Sequence, residues 1–222
     1  MQRVNLVLGT TYPYTRLMTQ TPVGRRERKK AATRQAIADA ALRLFLEHGY
    51  DRVSLREIAD AADVSTTTLF KHFSGKEALV FDQEQDNEAR LIAAVRERAG
   101  GQGIVDALRE HLLSAYLPFA RHPQAAEFVA LVDATPALRS YAERMWTRHT
   151  ETLSAAIAAE CGADHDDLAC VALARFVLEI PALVRGRPDP RAAVEAIFDI
   201  LARGWTRPDG PRASPARPAA GT

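Results

Sequence analysis

The sequence predicts an all-α fold: a small N-terminal helix-turn-helix unit joined by a long helix to a larger C-terminal helical unit. Three observations lead there. Apolar residues recur at i, i+3, i+4 and i+7 along most of the chain, the spacing of one buried helix face. No stretch alternates apolar and polar residues between turn signals, so no strand is expected. Two short amphipathic segments meet at a tight Ala62-Asp63-Val64-Ser65 turn, which is the helix-turn-helix pattern.

The elements follow in order. Residues 1–27, rich in Thr, Pro and Gly toward their start, are expected to form a disordered or flexible extension, and Met18 inside it is an alternative start. The helix-turn-helix unit is assigned to 28–80. Its first helix runs from about Lys30 to His48, with Ile37, Ala40, Ala41, Leu44 and Phe45 on one stripe and Gly49 as the stop. Ser54 and Glu57 make a capping box for the second helix, which buries Leu55, Ile58, Ala59 and Ala62. Ser65 caps a short third helix from Thr66 to about Phe73. A fourth helix, from Gly75–Lys76 to about Arg98, is expected to be continuous and ~35 Å long. Gly100, Gly101 and Gly103 then break the chain.

The larger unit is assigned to 81–206. Its helices are expected at 104–120, 123–134, 136–161, 165–185 and 190–204, with Pro123, Pro136 and Pro190 in first turns. Pro181 falls inside a helical run and should kink it and free a carbonyl; such kinks often border cavities, though the sequence places none here. Residues 207–222, dominated by Pro, Gly, Arg, Ala and Ser, read as a disordered tail.

Composition narrows the function. The chain is 47% hydrophobic and 26% charged, as ordinary globular proteins are. No apolar run nears the ~20 residues of a membrane-spanning helix, and the first residues do not read as a secretory signal. A cytoplasmic location and no membrane partner are expected. The net charge is +1, yet residues 1–80 hold 13 Lys and Arg against 8 Asp and Glu, and residues 81–222 hold 16 against 20. A basic front points to an anionic partner for the front alone. There is no nucleophile elbow, no phosphate loop after a strand and no paired metal motif. No catalytic residue, cofactor or metal is therefore assigned, and an enzyme is not expected.

The third helix is chemically odd. Thr66, Thr67 and Thr68 are mediocre helix formers at a helix start, and places where propensity is overruled are often functional. The first residues of a recognition helix meet base edges in the major groove. There Thr hydroxyls donate or accept, and Thr methyls pack on thymine methyls. Lys71, one turn beyond Thr67, reaches toward a guanine edge or a phosphate. Arg56, in the first turn of the second helix, points the same way. His72 and Lys76 flank the helix end, and Lys76 sits near the start of the next helix, whose free N–H groups attract phosphate. The plainer account of these residues, a solvated polar surface, loses weight because the whole pattern is present.

The stretch Ser54-Leu-Arg-Glu-Ile-Ala-Asp-Ala-Ala-Asp-Val-Ser-Thr-Thr-Thr-Leu-Phe-Lys-His-Phe-Ser-Gly-Lys-Glu-Ala-Leu79 closely resembles the DNA-binding signature of the TetR family of bacterial transcriptional regulators. The segment from Leu44 to Tyr50 is similar to the family as well. The resemblance covers about residues 30–80; beyond it only the all-α architecture is similar. It implies that Thr66, Thr67, Thr68 and Lys71 face the groove, with Ser65 at the head of their helix. Phe70 and His72 would lie against the sugar-phosphate backbone and Lys76 on a phosphate. It also implies a ligand-binding and dimerisation domain over 81–206, whose last two helices form a four-helix bundle with those of a second copy. The partners implied are a double-stranded DNA operator, the chain itself and an unknown small-molecule effector. Two departures stand out. Asp63 occupies a turn position where Gly is usual, and Asp tolerates the left-handed conformation. Phe70 stands where Tyr is usual, which removes a hydroxyl contact to phosphate worth ~1 kcal/mol. The basic run Arg25, Arg26, Arg28, Lys29, Lys30 is a candidate to compensate by touching backbone or minor groove.

In the larger unit, Leu168–Val184 is apolar almost all round, and Ala193, Ile197, Ile200, Leu201 and Trp205 make a second apolar face; both fit a dimer interface. Candidate effector-pocket residues are Tyr116, Phe119, Phe128, Met145, Trp146, His149 and Phe176, each with plain core packing as the alternative. His149 would be a polar fixer in an apolar cavity, while His111 and His122 read as surface residues. Asp164-His165-Asp166-Asp167 reads as an acidic helix start before it reads as a metal site. Cys161 and Cys170 read as packing groups, with redox sensing as the alternative. The expected function is a sequence-specific DNA-binding transcriptional regulator, a homodimeric repressor released by a small molecule. The alternative is a helix-turn-helix protein that binds DNA without an effector. Release would come from turning the fourth helix by ~5° about its far end, moving the head ~3 Å, enough to break hydrogen bonds.

Overall fold

The computed structural model describes residues 24–120 and 122–204. The expectations for residues 1–23, for Trp205 and for the 207–222 tail lie outside the described residues. Within them every element is a helix.

The N-terminal unit consists of α1 (Arg25–His48), α2 (Leu55–Ala61), α3 (Thr66–His72) and α4 (Glu77–Val80). Helix α1 starts five residues before the expected Lys30, so residues 25–27 are helix and not flexible extension. The basic run thus lies on the exposed first turns of α1. The local signals of the next two helices act as expected. The Ser54 N–H donates to Glu57 Oε2 at 2.7 Å and the Glu57 N–H to Ser54 Oγ at 3.2 Å, closing the capping box. Between α2 and α3, Asp63 takes φ +51°, the left-handed conformation a glycine would otherwise supply.

The C-terminal unit consists of α5 (Glu84–Arg96), α6 (Ile104–Ala120), α7 (Ala125–Ala134), α8 (Pro136–Cys161), α9 (Leu168–Val184) and α10 (Pro190–Arg203). Helix α8 packs on α9, α6 on α10, and α5 on both α6 and α8. Pro136 and Pro190 open α8 and α10, and Gly162 closes α8 in the left-handed region. Asp167 caps α9 through the Cys170 N–H at 3.0 Å. Pro123 sits in the turn before α7, which starts two residues later.

The expected continuous fourth helix is two helices. Leu79, Val80, Phe81 and Asp82 are buried in succession. Four consecutive residues at 100° each span more than one helix face, and here the backbone leaves the helix at Phe81–Gln83. Phe81 gains a place between the two units. Its ring stacks on Tyr141 at 5.1 Å and meets Phe128 edge-on at 6.4 Å. The hydrophobic core accordingly runs unbroken from Ile37 in α1 to Phe198 in α10. Helix α5 alone is thirteen residues long, and aromatic rings fill the break before it.

Candidate nucleic-acid interface and internal cleft

Helix α3 is held by its own first turn. The Thr68 N–H donates to Ser65 Oγ at 3.1 Å, and the two hydroxyls are 2.9 Å apart. Ser65 and Thr68 thus spend their hydroxyls on the cap. Thr66, Thr67, Phe70 and Lys71 remain exposed on the outer side, while Leu69 and Phe73 enter the core. Phe70 is 56% exposed, a large apolar ring at a surface. Arg56, on α2, is an exposed cation in a loose 3.9 Å pair with Asp60.

Two predicted contacts sit differently. Lys76 turns inward: its ammonium donates to the Tyr50 carbonyl and lies 4.2 Å from the centre of the Tyr50 ring. Desolvation lowers its pKa. Helix α4 behind it is a single turn, Glu77–Val80. His72 is half-buried, and its imidazole is held toward the neutral form by desolvation and by Arg34 and Lys30.

Arg34, which sequence reasoning passed over, ties these parts together. Its guanidinium donates to the His72 carbonyl at the end of α3 and, at 2.7 Å, to the Asp82 carbonyl in the break before α5. It also lies 4.2 Å from the centre of the Phe73 ring. One planar fork thus joins the outer helix to the start of α5.

Helix α5 lines a cleft of the C-terminal unit. Glu84, Asn87, Glu88 and Leu91 of α5 face His111, Leu112 and Ala115 of α6. Met145, Trp146 and His149 of α8 close one side, and Val177, Leu178 and Pro181 of α9 the other. The cleft has about 40 Å³ of room for water centres, enough for a few waters as it stands. Glu84 accepts from Tyr141 Oη at 2.7 Å and pairs with Arg148, fixing the start of α5 to α8. Glu88 accepts from Thr152 Oγ1 at 2.6 Å. His149 is 6% exposed, its ring edge-on to Trp146, and its Nε2 is buried with no hydrogen-bond partner. Desolvation lowers its pKa, against the pull of Glu88 and Glu84.

The cleft brings together Met145, Trp146 and His149 of the predicted pocket set and not the other four. Phe119 and Phe128 meet edge-to-face in the core beside Phe81. Tyr116 is buried behind the cleft with its hydroxyl donating to the Pro181 carbonyl at 3.2 Å. Phe176 lies on the outer side of α9, 39% exposed. His111 is no surface residue: it lines the cleft, because Leu108, Leu112 and Tyr116 of the same helix carry its turns into the core. His122 is half-buried, its Nδ1 accepting from the Gln124 N–H at 3.1 Å. The α5 lining had a signal in the sequence: residues 84, 87, 88 and 91 share one helix face, the side on which Val95 is buried.

Desolvation and the charge of Arg90 hold the His111 pKa at about 4. The unfolded chain takes up this proton near pH 6.5, so stability falls as pH drops from about 6.5 toward 4. His149 acts in the same direction. We expect His111→Gln to remove about 1 kcal/mol of the stability lost between pH 7.5 and 5.5. Denaturant melts of both proteins at the two pH values measure it; equal losses would contradict the burial of a neutral imidazole.

Comparison with known proteins gives consistent matches. Residues 37–82 match the model of bacterial regulatory proteins of the tetR family. The chain is 30% identical over 166 residues to the HTH-type transcriptional regulator TcmR of Streptomyces glaucescens, covering 71% of this chain and 73% of that one. It is 30% identical over 128 residues to the HTH-type transcriptional repressor AcnR of Corynebacterium diphtheriae, covering 56% and 60%. Among solved structures, NalD, the secondary repressor of the MexAB-OprM multidrug efflux pump in Pseudomonas aeruginosa, aligns with a TM-score of 0.54 at 21% identity. That alignment covers 80% of this chain and 97% of NalD.

Proposed function

The chain belongs to the TetR family of bacterial regulatory proteins, and from that premise we propose that it is a homodimeric repressor whose operator affinity is set by a small molecule in the α5–α6–α8–α9 cleft. The observation that carries the reading is the Arg34 bridge. Glu84, Asn87 and Glu88 line the cleft on α5, the Asp82 carbonyl just before α5 is bound by Arg34, and the same guanidinium binds the end of α3. A shift of α5 on occupation of the cleft is thereby handed to the helix bearing Thr66, Thr67 and Lys71. Those three side chains read bases or hold phosphates, with Arg56, Phe70 and His72 at the flanks. Ser65 and Thr68 hold the helix start, and Lys76 braces the unit from inside.

Dimerisation draws support from what α9 and α10 leave uncovered. Leu168, Phe176, Leu183 and Ile200 are large apolar side chains 39–80% exposed, and the first three repeat at i, i+8 and i+15 on one stripe of α9. A second copy on this face would cover them and set two recognition helices ~34 Å apart, one turn of B-DNA. A second reading, a regulator that answers to no effector, draws on the small room in the cleft.

Fluorescence-anisotropy titration against DNA from the protein's own promoter region, at two salt concentrations with excess unrelated DNA, tests the proposal. Binding should survive the competitor, and Thr67→Ala and Lys71→Ala should each weaken it roughly tenfold. Binding that collapses with salt whatever the sequence would reduce the interface to backbone contacts and overturn the reading.

A further inference from the structure

We propose that the cleft recognises a protonated amine carried on an apolar body, the ammonium being shared by the Glu88 carboxylate and His149 Nε2. This rests on the reading of the cleft as the effector site, and it names the chemistry of what enters.

The charges of the wall decide the sign. Glu84 and Glu88 both line the cleft, and neither Lys nor Arg does. Glu84 is already paired with Arg148. Glu88 accepts from the neutral Thr152 hydroxyl and carries no ion pair among the described residues. A half-buried carboxylate without a counter-charge attracts a cation, and an anion placed there would meet two carboxylates with no cation among the lining residues.

The buried imidazole asks for the same partner. His149 is 94% buried, lines the cleft, and leaves Nε2 without a hydrogen bond. A buried polar atom without a partner is costly and rare in folded proteins. With the ring proton on Nδ1, Nε2 is an acceptor, and a donor on the occupant of the cleft would satisfy it. Glu88 lies near enough to act electrostatically on His149. An ammonium has three donors, enough for both acceptors at once. Apart from Asn87 and the His111 imidazole, the rest of the wall, including Leu112, Met145, Trp146 and Val177, is apolar and suits the body of the molecule.

The test uses three probes of one shape on the full-length protein: 1-naphthylmethylamine, 1-naphthylmethanol and 1-naphthoate, titrated by calorimetry. The amine should bind at least about tenfold tighter than either of the others, as one charge-assisted hydrogen bond supports. Glu88→Gln should erase that preference by weakening the amine and leaving the alcohol unchanged. If the alcohol or the naphthoate binds as tightly as the amine to the unmodified protein, the proposed class is overturned while the cleft remains a binding site. If none of the three binds, the class and the effector reading fall together. A preference for the amine that survives Glu88→Gln overturns the assignment to this carboxylate. The ranking on the unmodified chain decides the class even if the variant does not fold.

Discussion

Phe81→Ala is expected to lower the stability of the whole chain by about 3–5 kcal/mol, the cost of removing a fully buried phenyl ring. For a protein of this size that is a fall in melting temperature of about 10 °C. The ring is 2% exposed and packs on Tyr141 from α8 and Phe128 from α7. Both partners belong to the C-terminal unit, while Leu79 and Val80 just before it complete the core under α1. The loss should therefore appear in both units together. Denaturant melts followed by circular dichroism and by operator binding should shift by the same amount. Two separated transitions, with only one displaced, would contradict a core shared between the units.

The second large effect is expected at Arg34. Arg34→Met keeps much of the side-chain volume over Phe73 but leaves the His72 and Asp82 carbonyls without their charged donor. Loss of hydrogen bonds from a charged group costs about 1.5–3 kcal/mol each, so about 3 kcal/mol of stability is expected to go. Two readouts separate coupling from plain destabilisation. The His72 imidazole, now held toward neutrality in part by the Arg34 charge, should titrate at higher pH by NMR. A compound that binds the cleft should still bind, yet should no longer weaken operator binding. Arg34→Lys should fail likewise, because one ammonium lacks the planar fork that spans two carbonyls. Unchanged effector response in either variant would remove Arg34 from the path.

What the sequence made legible was what local chemistry decides. Ser54 with Glu57, Ser65 before Thr66, Pro136, Gly162 and Pro190 each satisfy or stop a helix end by themselves. Helix borders in the C-terminal unit accordingly fall where these residues put them. The exposed side of α3 was legible because its threonines run against propensity. The interruption at Phe81–Gln83 was not, since no Gly or Pro breaks the stretch from Glu77 to Arg96 and the ring partners of Phe81 lie far along the chain, in α7 and α8. Arg34 carried no signal in the sequence, and Lys76 was expected on a phosphate. Their capture by backbone carbonyls depends on where distant turns come to lie, and no spacing in the chain encodes that. His111 was misplaced for a related reason: one imidazole on an apolar helix says nothing about which neighbours will close over it.

The shared core also sets terms for recombination. A regulator of new specificity is often sought by grafting the DNA-reading head of one protein onto the sensing body of another. In this chain a cut just after Val80 would send Phe81 with the body while its neighbours Leu79 and Val80 stay under α1. It would also part Arg34 from the Asp82 carbonyl it holds. A working graft would have to carry residues 24–83 as one piece and bring matching partners for Phe81, namely the Phe128 and Tyr141 positions, into the recipient. The exchangeable part is therefore larger than the DNA-binding motif, and its border is drawn by aromatic rings.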